Sequence, residues 1–416
     1  MLRSFYFAGF ECATGYNMHG EWIDQIAATQ HDQHVDADYR RLREVGLYAA
    51  REAIRWPCVD VRGRYDFRSV LPFLEASRKH GIELIWDLFH YGYPEDIDLF
   101  SNEFPKRFAD YCHAAARFIR SAQEEPYYFT PVNEPSFMAW AAGDKGRFAP
   151  HCRGKANDLK IALALAGIRG IDAIRSVIPE ARMVNVDPVC QVVPPADRPD
   201  LAGAAEHFSQ TAVFESWDML CGRLLPELGG SRAHLDIVGM NYYWTNQWEM
   251  GKDEQPLSDD DPRRVPLRDL VRRVWERYGG ELLITETAHV DGMRPVWLDY
   301  VAGETKALLA ENIPLRGVCL YPILTMPEWH ARHQWTPLGL WDLDHQQTTL
   351  HRKIYQPLLE SLRNAQGRIP RTGAPVNGEM SYEAGGGARL IKVREGQPRQ
   401  MDEQDGAYSS PHICPE

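Results

Sequence analysis

The chain has no C-x-x-C pair, although it carries eight cysteines: Cys12, Cys58, Cys112, Cys152, Cys190, Cys221, Cys319 and Cys414. Without that spacing there is no zinc-knuckle or dithiol redox motif. Several of the eight sit inside apolar runs, where a reduced thiol behaves as a small hydrophobe. Thiols in a reducing compartment are expected, and with them a cytoplasmic location. Basic residues are also short, 46 Lys and Arg against 58 Asp and Glu, for a net charge of −12. A nucleic-acid partner needs a basic face, so that class is excluded, whereas a neutral substrate suits the charge. No apolar run approaches the ~20 residues of a membrane span, so no membrane partner is expected. The run Phe5 to Phe10 is too short for a secretory signal and meets Glu11 without a small-residue cleavage site. No glycine-rich phosphate loop follows it, which argues against a doubly wound nucleotide-binding sheet.

What is present is alternation. Eight short apolar runs are separated by helix-period segments: Ser4 to Phe10, Leu47 to Ile54, Ile82 to Phe89, Tyr127 to Val132, Arg182 to Asp187, Leu235 to Tyr243, Glu281 to Glu286 and Gly317 to Tyr321. Near-continuous apolar runs of this length are strands buried on both faces, and strand–helix alternation means a parallel sheet. Eight such units predict an α/β fold, a single-domain (β/α)8 TIM barrel over residues 1–366. Gly81 stands where a helix C-cap belongs. One long helix is predicted from about Leu201 to Leu220, and a closing helix from about His351 to Gln366. The polar stretch Gln247 to Arg264 reads as a loop over the barrel mouth. Residues 367–416, rich in Gly, Pro, Gln and charge, read as a disordered tail in which Ala388 to Val393 alone has strand character.

Two of the runs end in a glutamate. Tyr127-Tyr128-Phe129-Thr130-Pro131-Val132-Asn133-Glu134-Pro135 delivers Glu134, and Glu281-Leu282-Leu283-Ile284-Thr285-Glu286 delivers Glu286. Paired carboxyls at the C-terminal tips of barrel strands suit glycosidic bond hydrolysis, one as acid/base and one as nucleophile.

These stretches resemble glycoside hydrolase family 1, the β-glycosidases of the clan A barrel type, over about Phe5 to Gln366. Thr130 to Pro135 is similar to the T-F-N-E-P motif, Ile284-Thr285-Glu286 to I-T-E-N-G, and Asn241-Tyr242-Tyr243 to N-Y-Y. Arg51 to Pro57 resembles R-F-S-I-S-W-P, Phe89-His90-Tyr91 the H-W of the third strand, and Glu328-Trp329 the E-W after the eighth. The resemblance implies a retaining β-glycosidase for β-glucoside- or β-galactoside-type bonds, with no cofactor and no metal. Its alternatives are a transglycosylase using the same covalent intermediate and a non-catalytic carbohydrate-binding barrel. Glu134 is then the acid/base and Glu286 the nucleophile, with Arg51 and Tyr243 holding Glu286. Asn17, His90, Asn133, Glu328 and Trp329 are implied to bind a small-molecule or oligosaccharide β-glycoside. Three positions depart from the family pattern: Asn17 for glutamine, Tyr321 for tryptophan, and Thr287 after the nucleophile. Two histidine pairs, His31/His34 and His330/His333, have acidic neighbours but no recognised ligand spacing, so no metal site is expected.

Overall fold

The computed structural model describes residues 2–253, 255–346 and 348–369. Eight parallel strands close into a barrel: β1 Tyr6–Gly9, β2 Ala49–Ala53, β3 Glu83–Asp87, β4 Tyr128–Thr130, β5 Arg182–Pro188, β6 Ile237–Asn241, β7 Glu281–Thr287 and β8 Leu315–Leu320. Each pairs with its sequence neighbours, and β1 closes the ring against β8 through Tyr6↔Val318 and Ala8↔Leu320. The (β/α)8 fold read from the alternation is the one formed. Helices α1 His31–Glu44, α2 Leu71–His80, α3 Glu103–Ala122, α4 Ala156–Val177, α5 Ala202–Gln210, α6 Glu215–Leu220, α7 Leu267–Tyr278, α8 Arg294–Ala310 and α9 Gln356–Arg368 make the outer layer. Gly81 caps α2 in the left-handed conformation at φ 66°, where a Cβ would be strained.

Strand pleating divides the core in two. Phe7, Ala49, Ile85, Tyr128, Val184, Val186, Ile237, Leu283 and Cys319 fill the barrel interior. The alternate residues, such as Ala8, Ala50, Leu84, Phe129 and Val238, face the helices. Burying a large aliphatic or aromatic side chain contributes about 1.5–3 kcal/mol, so both layers stabilise the closed sheet. The same parity governs the polar residues. Arg51, two after Ala49, points in; Glu52 points out to His31 and Tyr39.

Several expectations need correction. The Leu201–Leu220 segment is two helices, because Thr211 leaves helical geometry and a 3-10 turn at Ala212–Phe214 buries Val213 and Phe214. The closing helix starts at Gln356, because Arg352–Ile354 forms a strand paired with Trp341–Leu343. Within the Gln247–Arg264 stretch, Gln247–Glu249 pairs with Gln191–Val193 as a strand. The α9 helix runs to Arg368, two residues beyond the expected boundary; the rest of the expected tail, Ala388 to Val393 included, lies outside the described residues. Six described cysteines are free thiols, whereas Cys152 is disulfide-bonded, against the expectation of thiols throughout. No described helix is long and apolar enough to cross a membrane.

His31 is not poised for a metal. Its ring stacks on Phe10 at 3.5 Å, and its two nitrogens lie 2.9 Å from Asp38 and 2.9 Å from Glu52. Arg352 reaches the same Asp38 at 2.9 Å, which ties the strand before α9 to α1. Burial alone lowers the imidazole pKa; the flanking carboxylates of Glu52 and Asp38 outweigh it and push it up to about 9. The folded pKa lies above the unfolded value. The resulting stabilisation, on the order of 3 kcal/mol, is therefore fully present below pH ~6.5 and lost as pH rises through ~9. Urea unfolding between pH 6.5 and 9.5 is expected to show this decline, and His31→Gln to flatten it.

Candidate active site

The site lies at the C-terminal end of the barrel strands and is built around one guanidinium. Arg51 is 0% exposed. Its Nε and Nη2 donate to the two oxygens of Asp87 at 3.0 and 2.7 Å. Nη2 also donates to Asn133 Oδ1 at 2.6 Å, and Nη1 donates to Thr285 O at 3.2 Å and Glu286 Oε1 at 2.7 Å. Five N–H groups make five bonds, so the guanidinium is fully used. It connects β3, the segment after β4, and β7.

Glu286 reaches this centre through an irregularity. Leu283 and Thr285 face the barrel axis, so simple alternation turns Glu286 outward. The register shifts between Met240 and Asn241 on β6 and between Ile284 and Thr287 on β7. A bulge of this kind re-aims a side chain, and here it sets Glu286 over Arg51. Tyr243 donates its hydroxyl to Glu286 Oε2 at 2.8 Å, so both carboxylate oxygens are bonded.

Glu134 follows the end of β4, where Pro131 ends the ladder and Pro135 opens the short helix Pro135–Met138. It adopts a left-handed conformation, φ 46° and ψ 60°; Tyr91, at φ 70°, does the same. Such non-glycine residues cost about 1–3 kcal/mol each and cluster where geometry is imposed. The two meet: the Tyr91 hydroxyl donates to Glu134 Oε2 at 2.5 Å.

Both glutamates are nearly enclosed, 7% exposed for Glu134 and 4% for Glu286. Burial raises both carboxyls above the usual range, and for Glu286 the charge of Glu134 adds to it. One proton shared between them relieves the repulsion. Glu286 accepts from a cation and a hydroxyl; Glu134 accepts from the Tyr91 hydroxyl and has the Asn241 side chain against it. The two carboxyls titrate as a pair.

His90 donates from Nδ1 to Asp87 Oδ2 at 3.0 Å, and its Nε2 faces Asn133 Nδ2 at 3.1 Å. Asn133 Oδ1 is taken by Arg51, so its Nδ2 is a donor and His90 Nε2 accepts. Glu134, Glu286, Arg51, Tyr243, His90 and Asn133 are thus brought together. Glu328 and Trp329 lie on the segment after β8, beside the pairing of Pro327 with Trp335. Glu328 accepts from Thr336, and the Trp329 ring packs 5.8 Å from Tyr91 with its buried Nε1 unpartnered.

Asn17 is elsewhere. Its Oδ1 accepts from the amides of His19 and Glu21 at 2.9 and 3.0 Å; its Nδ2 donates to Glu21 Oε2 at 3.2 Å and Trp329 O at 3.0 Å. A short amide satisfies its own loop first, so Asn17 positions Trp329 and has no donor or acceptor left for a sugar. Sequence reasoning also passed over Glu11, Asp87 and Tyr91. Asp87 and Glu11 were findable by strand parity, from Ile85 to Asp87 and from Phe7 through Gly9 to Glu11. Among the described residues, the one group of ligand atoms close enough to hold a metal is Cys12, Asp87 and His90. Asp87 is already bidentate to Arg51, whose charge opposes a cation there.

No protein-family model and no curated protein matches the chain. Solved structures do. A family 1 β-glucosidase from Thermotoga maritima superposes with a TM-score of 0.71 at 17% identity, over 88% of this chain and 98% of that one. The chain has the fold of a family 1 β-glucosidase. The same enzyme in complex with glucoimidazole gives a TM-score of 0.72 at 17% identity, over 88% of this chain and 98% of that one. Its castanospermine complex gives 0.71 at 17% identity with the same coverages. At this identity the likeness is one of fold. The buried pair of glutamates is observed in the chain itself.

Proposed function

We propose that the chain is a retaining β-glycosidase acting on β-glucoside- or β-galactoside-type bonds. The observation that carries this reading is a buried pair of glutamates, Glu286 bonded by Arg51 and Tyr243 and Glu134 beside it; in this reading Glu286 is the ionised member and Glu134 carries the proton. The complexes of the Thermotoga maritima β-glucosidase with glucoimidazole and castanospermine support a small-molecule ligand in the corresponding cleft.

Glu134 gives its proton to the glycosidic oxygen while Glu286 attacks the anomeric carbon. The glycosyl–enzyme ester removes the charge of Glu286. The pKa of Glu134 then falls, and the carboxylate takes a proton from the incoming water. Asn133 Nδ2, which makes a long 3.3 Å bond to the Tyr91 hydroxyl, turns that N–H to the sugar hydroxyl next to the anomeric carbon, and His90 holds Asn133 in place. Glu328 and Trp329, on the segment after β8, serve those further round the ring.

The test is hydrolysis of a panel of aryl β-glycosides, with the first-formed anomer read by proton NMR. The β-anomer is expected first; an initial α-anomer overturns the retaining reading, and silence across the panel overturns the reading of this chain as a hydrolase. Burial raises the Glu134 carboxyl to about 7. Catalysis needs its protonated form, so kcat/KM is expected to fall as pH rises through ~7. A flat profile from pH 6 to 9 contradicts the assignment of the acid.

A further inference from the structure

Beyond Glu134, Glu286 and the Asp87 that holds Arg51, the barrel delivers a fourth carboxyl to this site. Phe7, Gly9 and Glu11 share the inward parity of β1 and its continuation. A Cβ at Gly9 would lie 2.1 Å from the Tyr321 ring, so glycine there is what lets Tyr321 lie across the strand. The Tyr321 hydroxyl accepts from the Cys12 amide at 3.0 Å and comes within 3.5 Å of Glu11 Oε1. The Tyr321 ring is parallel to His90, 3° between planes, and lies 5.2 Å from the Arg51 guanidinium. Glu11 Oε1 also accepts from the Ala13 amide at 3.0 Å and lies 3.7 Å from His90 Nε2. Oε2 makes no hydrogen bond with the described residues and is not sealed away from solvent. The 3.7 Å approach to His90 sets Glu11 beside the residue that holds Asn133. Glu11 itself is only 6% exposed.

We propose that Glu11 is a sugar-recognising carboxylate of the innermost subsite. It accepts a ring hydroxyl in place of Asn17, and it confines the substrate to glycosides uncharged at the sugar, excluding uronides and phosphorylated sugars. This rests on the glycosidase reading above. A carboxylate with a free oxygen is an acceptor for an O–H group. An anionic sugar brought to the same place meets Glu11, Glu286 and Asp87 against Arg51, and Arg51 has no N–H left to offer it. Burial pushes the Glu11 carboxyl up to about 7, against the Ala13 amide and the Arg51 charge, so the penalty on an anionic sugar is largest above that pH.

The experiment uses the full chain and Glu11→Gln, an isosteric change that retains an acceptor for the Ala13 amide. Melting temperatures confirm that both are folded. Steady-state constants are measured on 4-nitrophenyl β-glucoside, β-galactoside and β-glucuronide, and calorimetry measures the binding of methyl β-glucoside and methyl β-galactoside. Turnover of a neutral glycoside but not the glucuronide is expected from the wild type. In Glu11→Gln, KM for the neutral glycoside is expected to rise about 10-fold with a smaller change in kcat. The glucuronide-to-neutral ratio of kcat/KM is expected to rise by at least about 10-fold. A merely structural role lowers all substrates alike and leaves that ratio unchanged, which overturns the proposal. Wild-type turnover of the glucuronide as fast as the neutral glycosides also overturns it. Absence of all wild-type turnover counts against the glycosidase reading, and Glu11 is then judged by binding. A neutral glycoside binding about 10-fold more weakly to Glu11→Gln supports the proposal, whereas equal affinity, or no binding to the wild type, overturns it.

Discussion

Glu286→Ala is expected to lose about 10⁴-fold or more in kcat on the aryl β-glycoside the chain turns over best, roughly 5.5 kcal/mol of transition-state stabilisation. The loss is specific because the surroundings persist: Arg51 keeps both bonds to Asp87 and its bond to Asn133 when Glu286 is cut back. The vacated volume beside Arg51 is of a size and sign to take a small anion. Added azide is expected to restore turnover with an activated leaving group and to yield the α-glycosyl azide, since it attacks from the face that Glu286 held. Glu134→Ala gives the opposite product. There the glycosyl–enzyme still forms from an activated substrate, and azide displaces Glu286 from the other face to give the β-glycosyl azide. The two configurations assign the two glutamates independently. Full wild-type activity in Glu286→Ala removes the nucleophile assignment.

The strands were legible because each is buried on both faces, so apolar runs such as Leu282–Ile284 and Val184–Val186 stand out whatever their neighbours. Glu134 was legible for a local reason: Thr-Pro-Val-Asn-Glu-Pro carries its own strand stop and helix start. The direction of Glu286 was not. It depends on a bulge between β6 and β7, and a bulge is a property of two strands that no single run displays. Asn17 misled because position in a motif says nothing about competition from nearby amides; those of His19 and Glu21 claim its carbonyl oxygen. Glu11 was hidden by reading the first run as a block that ends at Phe10. Counted by twos from Phe7, the chain points it into the site. Similarly, Glu52 stands next to Arg51 in sequence and on the opposite side of the sheet in space, bonded to His31.

Arg51 carries the second large expectation. Arg51→Met leaves Asp87 and Glu286 buried without their shared cation, at side-chain exposures of 0% and 5%. Removing one member of a buried ion pair costs about 3–5 kcal/mol, much of it the penalty on the charges left behind. Burial by itself raises the Asp87 carboxyl; the Arg51 charge and the His90 hydrogen bond outweigh it and hold it below the usual range. That folded-state depression contributes stability above the unfolded carboxylate pKa and loses it in acid. Without Arg51 the carboxylates are expected to bind protons, so the variant is least stable relative to wild type at neutral pH and the gap narrows as pH falls below ~5. The same change acts on catalysis. Glu286 must be ionised to attack, and removing its cation raises its pKa. The acid limb of kcat/KM is therefore expected to move to higher pH, with a fall of at least about 10³-fold at the optimum. Arg51→Lys separates the two effects. It returns a charge and part of the stability, but three ammonium donors cannot reproduce five guanidinium bonds to Asp87, Asn133, Thr285 and Glu286, so most of the rate stays lost. Equal stability and an unmoved acid limb in Arg51→Met would show that the guanidinium is an ordinary structural cation rather than the group that keeps Glu286 ionised.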